Sequence, residues 1–311
     1  MSATPAEIAS RAREAAVAVA WRQWAALGAP VSGGAVQARA IVDPEALVLL
    51  SCVLRDGERR LDDVLAWWAT AGAPLMSVQR ITTLRKQFPV SAHGGLATFA
   101  RAVVDGGDLR WHRLAAQAEG EDELLVRRKR GGDVSLISAP ALMLRLRSAF
   151  GVGVKADLLA VLLGLGGAPE TVRTLATATG YTLASVRRAA QEMTAARIAY
   201  RTLGRPVTYA ADPRDWEILL GFRPGTSPPA WRYFAQVFAF VAATIEWSDA
   251  ASSVSPYIAA STARDVFDAH RGAFELNRIR IPEPSDYRGE QYLEGFAAAV
   301  DALASWLDEA G

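Results

Sequence analysis

Two adjacent arginines, Arg187 and Arg188, and a glutamine, Gln191, carry the side chains best suited to recognition chemistry in this sequence. A guanidinium can donate two hydrogen bonds to a guanine edge, and a glutamine amide can pair with an adenine edge. They sit in the run LASVRRAAQEMTA, where Val186, Ala189, Ala190 and Met193 recur at spacings of three and four. That period puts the four apolar residues on one face of a helix. Ala184, Arg188, Gln191 and Ala195 then fall on the opposite face, with Arg187 at its flank. The alanines leave room for close approach to a groove. Glu192 is the dissenting charge, repelled by phosphate unless it points aside or reads a cytosine. The competing reading is an ordinary solvated helix face. Arg201 and Arg205 lie ten or more residues further on, where they can meet phosphate or enter a minor groove, or simply keep an exposed sheet edge soluble.

The elements that must position these groups occupy residues 170–210. Thr182 is a suitable N-cap for the longer helix, since its hydroxyl can accept from a first-turn N–H. Before it, TVRTLATATG reads as a shorter helix with Val172, Leu175 and Ala176 inward and Gly180 as its left-handed end. The short turn to Thr182 suits a steep crossing of the two helices. After it, Ile198, Tyr200 and Thr202 alternate with Ala199 and Arg201. Leu203, Gly204 and Arg205 form the tip of a hairpin, and Val207 and Tyr209 lie on the return strand. Asp212 and Pro213 open a further short helix whose Trp216, Leu219 and Leu220 are expected to pack back on the hairpin.

Residues 155–220 resemble the winged helix-turn-helix domains of bacterial MarR-type and ArsR-type regulators. In such domains T-V-R-R-A-L-x-E-L-x-x-A-G-L-V is a common pattern over the recognition helix and first wing strand. This chain has S-V-R-R-A-A-Q-E-M-T-A-A-R-I-A from Ser185 to Ala199. Ala190 and Met193 replace leucines and keep those positions apolar. Arg197 stands where glycine often ends the helix. The resemblance covers about a fifth of the chain. It implies DNA contact by Ser185, Arg187, Arg188 and Gln191 and wing contact by Arg201 and Arg205; with Thr182 at the helix start, these make the candidate DNA-binding set.

Around this stretch the sequence predicts a mainly α, multi-domain helical protein with a central winged helix-turn-helix carrying a small β-hairpin wing. Three units are expected: a helical one over 1–131, the winged helix over 138–222, and a second helical one over 228–311. In the first, Asp43, Pro44 and Glu45 mark a helix start. Leu61, Val64, Leu65 and Trp68 form an apolar stripe, and Ser77 can cap a helix with Ile81, Leu84 and Phe88 inward. The order is compatible with a degenerate helix-turn-helix-like unit lacking a wing. A cluster of acids followed by Arg127, Arg128, Lys129 and Arg130 then reads as a linker, or as a basic arm touching phosphate. In the last third, Trp231, Phe234, Phe238, Val241 and Ile245 recur at helical spacing, as do Tyr292, Phe296, Val300, Leu303 and Leu307. Between them residues 279–284 should be extended, because residues before proline avoid the helical region.

Charge adds to this division. The chain holds 34 basic and 33 acidic residues, so as a whole it has no net attraction for nucleic acid or anionic lipid. Residues 1–137 carry 17 basic and 15 acidic residues, 138–222 ten and six, and 223–311 seven and twelve, so only the middle has an appreciable basic excess. Cys52 is the sole cysteine, which rules out an intrachain disulfide and zinc sites built on cysteine pairs, and fits a reducing cytoplasm. The start of the sequence lacks the order of a signal peptide, and the apolar runs at 158–165 and 237–245 are far short of the roughly 20 residues needed to cross a bilayer. No membrane partner is expected.

Catalytic patterns are missing. His93, His112 and His270 have no convincing ligand partners, Gly151-Val152-Gly153 lacks the rest of a dinucleotide loop, and there is no phosphate-binding GxxxxGK[ST] run or serine nucleophile elbow. Asp62-Asp63 and Asp308-Glu309 fit solvated helix faces. The nine tryptophans are expected to fill cores, with a ligand pocket or a dimer surface as the alternative for Trp231 and Trp247 beside an apolar helix. The expectation is therefore a cytoplasmic, non-enzymatic regulator binding double-stranded DNA, as a homodimer in one version, with no cofactor or metal. The alternative is an interaction subunit whose winged helix and acidic C-terminal third dock a protein partner.

Overall fold

The computed structural model describes residues 3–30, 38–118, 132–222, 227–282 and 286–311. The basic arm at Arg127, Arg128, Lys129 and Arg130 and most of the gap between the second and third expected units lie outside the described residues. Helix α1 (Pro5–Ala26) opens with a capping box: Thr4 Oγ1 accepts from the Glu7 N–H, and the Glu7 carboxylate accepts from the Thr4 N–H. Helix α2 (Pro44–Leu54) starts where the sequence places it, with the Asp43 carboxylate accepting from Ala46 N–H at 3.1 Å. It is buried nearly all round. Helix α3 (Arg60–Ala71) buries its expected stripe of Leu61, Val64, Leu65 and Trp68. Helix α4 (Val78–Leu84) takes Ser77 as its cap. It is shorter than its apolar pattern implies, because the chain tightens into a 3-10 turn at Arg85–Gln87. Helices α5 (Ser91–Asp105) and α6 (His112–Ala115) follow.

The middle stretch contributes α7 (Leu142–Phe150), α8 (Val154–Gly164), β1 (Glu170–Thr171), α9 (Val172–Thr179), α10 (Leu183–Ala195), β2 (Tyr200–Arg201) and β3 (Thr208–Ala210). The three strands make one small antiparallel sheet in the order β1-β3-β2. Glu170 is opposite Tyr209 on one side, and Arg201 is opposite Tyr209 on the other. The hairpin was expected; β1 was not, since two residues are too short to show alternation. The last third holds α11 (Phe234–Ala251), α12 (Pro256–Ala269), α13 (Gly272–Asn277) and α14 (Tyr292–Ala310). The molecule is thus mainly helical with a single small sheet among the described residues.

Two apolar clusters organise these elements. The larger draws buried residues from α1–α5 and from α11–α14 alike, with α1 lying along both α11 and α14. The two terminal thirds therefore share a core, although nothing local in either sequence announces the other. The smaller cluster belongs to α7–α10, Tyr209 of β3 and Trp216, with Ile41, Trp231 and Tyr233 added from outside. Trp231 and Trp247, 4% and 5% exposed, are core residues as expected, and the alternative of a pocket or dimer surface does not hold for them. Two backbone bonds fasten the outside residues to each other and to α8: Ile41 N–H donates to Ala230 O at 3.0 Å, and Trp231 N–H donates to Gly164 O at 2.8 Å. A Cβ at Gly164 would lie 2.7 Å from Trp231 N, so this approach requires glycine. No helix among the described residues is long and apolar enough to cross a membrane.

Candidate nucleic-acid interface

The crossing from α9 to α10 is set by two caps and one glycine. Thr171 Oγ1 accepts from Thr174 N–H at 3.2 Å and starts α9. Leu175, Ala176, Ala178 and Thr179 are buried, and Gly180 ends the helix at φ 70°, the left-handed conformation that glycine adopts without a Cβ penalty. Three residues later α10 has begun. Thr182 Oγ1 accepts from Ser185 N–H at 3.2 Å and lies 2.9 Å from Ser185 Oγ. The cap thus occupies both hydroxyls; Thr182 is exposed and Ser185 half-buried.

Helix α10 divides its faces as its sequence implies. Val186, Ala189, Ala190 and Met193 are buried, whereas Arg187, Arg188 and Gln191 are exposed. Glu192 does not stand alone. It accepts from Arg188 Nε at 2.8 Å and forms a 2.8 Å ion pair with Lys155 Nζ at the start of α8. Hydrogen bonds from Lys155 and Arg188 hold its carboxyl below the usual range. Glu192 therefore points aside, against two cations. The Arg188 side chain stays 81% exposed, so solvent screens this i,i+4 pair and it yields readily to a phosphate or a base. Lys155 went unnoticed in the sequence because it is 37 residues away from Glu192 and on another helix.

The hairpin places Arg201 and Arg205 in solvent, with Leu203 at the tip 96% exposed. Ala199 and Tyr209 anchor it below, and the Tyr200 hydroxyl donates to the Asp215 carboxylate. Trp216 and Leu220 pack inward as expected. Leu219 does not: it is 69% exposed, beside Ile218 at 93%. The segment after Asp212 is only a 3-10 turn (Pro213–Trp216), so the spacing of an α-helix does not apply there. Between α10 and β2 the chain turns at Arg197, φ 59°. Arginine thus occupies the left-handed position where glycine is usual in the resembled pattern, and Ile198 N–H still donates to Met193 O at 2.9 Å to close the helix.

Beneath the turn lies a group of charged side chains that sequence reading missed. Arg80 of α4 donates to Asp43 at 2.5 and 2.6 Å, to Glu45 at 2.6 Å, and to Thr179 O, the last turn of α9, at 2.7 Å. Arg147 of α7 donates to Glu45 at 2.6 and 3.0 Å and to Asp157 at 2.6 and 2.8 Å. Tyr181, inside the turn between α9 and α10, donates to Asp157 at 3.0 Å. The two arginines and three acids are almost completely buried. Burial alone would raise the Glu45 carboxyl; Arg147 and Arg80 outweigh it and hold it at about 2. Burial opposes the charge on both guanidiniums too, but the facing carboxylates keep them protonated. The network ties α7, α9 and the turn before α10 to α2 and α4, fixing how the N-terminal helices sit behind α9.

His93 Nε2 lies 3.0 Å from Arg85 O, His112 Nδ1 lies 3.0 Å from Leu109 O, and burial lowers the pKa of His270. No group of three metal-binding side chains occurs among the described residues. The chain matches no protein-family model, no curated protein and no solved structure.

Proposed function

We propose that this chain is a cytoplasmic DNA-binding protein, a transcriptional regulator, that reads duplex DNA with a winged helix-turn-helix spanning 138–222. The observation that carries the reading is the division of α10. Its apolar face is buried while Arg187, Arg188 and Gln191 face solvent, and the hairpin that follows exposes Arg201 and Arg205. In this reading Arg188 and Gln191 meet base edges, Arg187, Thr182 and Ser185 meet the flanking backbone, and the hairpin arginines take phosphates. Glu192 holds Arg188 in place until DNA competes for it. No bond is made or broken, and no cofactor or metal is used. Two copies in a homodimer would double the basic surface presented to DNA.

The test is retention of random genomic duplexes at low salt. The Arg187→Ala/Arg188→Ala double variant should lose about 100-fold in affinity, from roughly 1–3 kcal/mol per arginine, with its unfolding midpoint unchanged. If one protomer neutralises roughly five phosphates, log affinity should fall with log salt at a slope of about −4 to −5. Undiminished binding by the folded variant, or no salt-dependent binding to any duplex, overturns the reading. A second reading, a protein-docking module, draws on the exposed Leu203, Ile218 and Leu219 beside the hairpin. In that case Leu203→Ser and Ile218→Ser, not the arginine changes, would abolish the interaction.

A further inference from the structure

Helix α13 also reaches from the larger core to the middle stretch of the chain. Its Ala273 and Phe274 belong to the larger apolar cluster, while Leu276 packs against the smaller one. Asn277, 7% exposed, accepts from Tyr233 N–H at 3.0 Å and donates to Ala273 O at 2.9 Å. The chain then turns at Arg278, φ 56°, a left-handed helix end where glycine or asparagine is the ordinary choice. An arginine held there is local strain that the surrounding fold sustains.

A cavity of about 380 Å³ opens at this turn. Arg271, Arg278 and Arg280 line it together with Ile279 and Ile281. Arg271 is already oriented, paired with Asp268 at 2.9 Å and lying 5.5 Å over the Phe267 ring. Arg278 and Arg280 make no side-chain hydrogen bond or ion pair with other described residues. Three of the seven basic residues of the acidic segment 223–311 thus converge on one cavity. Glu275 stands on the same lining and disfavours a second negative group.

We propose that this cavity binds a small monocarboxylate with an apolar body. The guanidinium fork matches a carboxylate in two-point geometry, and Ile279 and Ile281 receive the hydrocarbon part. Because α13 also holds Leu276 and Asn277 against the smaller cluster, an occupied cavity biases the placement of the helix-turn-helix. This regulatory part rests on the DNA-binding reading; the binding site does not.

Calorimetric titration of the full chain with octanoate and benzoate tests the site, with benzyl alcohol and benzylamine as neutral and cationic comparators and phenyl phosphate as the dianionic one. One of the carboxylates should bind at a single site, at least about tenfold more tightly than every comparator. Arg280→Gln should weaken it by about tenfold with an unchanged unfolding midpoint. Arg278→Gly, which removes the guanidinium while relieving the strain, should fold at least as well and also lose binding. Absence of carboxylate binding, equal binding of the alcohol or the phosphate, or undiminished binding by folded Arg280→Gln overturns the proposal. The same carboxylate is then added to DNA retention. Unchanged retention overturns the regulatory part alone; a chain that retains no duplex with or without ligand overturns the DNA reading and leaves the calorimetric result standing.

Discussion

Arg147 shows how much a single buried guanidinium can hold. Its fork spans Glu45 and Asp157, and its Nη1 also reaches Leu75 O at 3.0 Å. With Arg80, it leaves two cations facing three carboxylates, and the remaining negative charge is met by hydrogen bonds from Tyr181, Ser77 N–H and Ala46 N–H. Removing one arginine would leave buried carboxylates without their counter-charge, a loss of about 3–5 kcal/mol. Arg147→Met should therefore lower the urea unfolding free energy by that amount, far more than any change at exposed Arg187. Adding Glu45→Gln should recover part of the loss, because one uncompensated charge goes with it. A loss below about 1 kcal/mol for Arg147→Met would show that water reaches the network. Nothing in LMLRLRSAF distinguishes Arg147 from Arg145. Its partners are 10 and 102 residues away, and a one-dimensional pattern carries no trace of a pair at that separation.

Among the elements, α10 was the most legible, because its period alone separates its buried from its exposed residues. The caps at Asp43, Ser77 and Thr182 are equally local and stand directly before apolar-periodic runs, whereas Thr4 caps an alanine-rich helix with a weaker period. The end of α10 was not readable, since arginine replaced the glycine that signals it. The structure shows the left-handed turn kept and the strain accepted. An exposed Arg197 loses little packing when truncated, so the backbone term dominates. A left-handed residue with a Cβ costs about 1–2 kcal/mol, and glycine adds back roughly 0.5–1 kcal/mol of chain entropy. Arg197→Gly should accordingly stabilise the chain by about 0.5–1 kcal/mol, while the β-branched Arg197→Val should destabilise it by at least about 1 kcal/mol. Urea midpoints of the two variants check the order. If Arg197→Gly is the less stable, the arginine makes a stabilising contact that outweighs the strain.

For the whole molecule, the two terminal thirds sharing one core means that the middle unit is gripped between chain segments far apart in sequence. Backbone hydrogen bonding fastens it at Gly164 and Trp231, and ion pairing at Glu45, which sits in α2 of the larger core and pairs with Arg147 of α7. That junction should be sensitive to acid. Glu45 has its carboxyl depressed in the folded state, from 4.5 to about 2. Its contribution to stability is therefore fully present above pH 4.5 and is lost as pH falls through that range toward 2. The shift corresponds to on the order of 3 kcal/mol. Other carboxylates titrate over the same range, so the wild-type curve alone does not isolate this residue. The difference between wild type and Glu45→Gln does. At neutral pH the variant should be less stable, having lost the ion pairs; as pH falls from 5 to 2.5 the gap should close, because protonated Glu45 and glutamine are nearly isosteric and both neutral. Urea unfolding at several pH values, followed by tryptophan fluorescence, measures the gap. A gap that stays constant with pH would mean that Glu45 titrates alike in the folded and unfolded chains, and that its ion pairs do not hold the junction between the two cores.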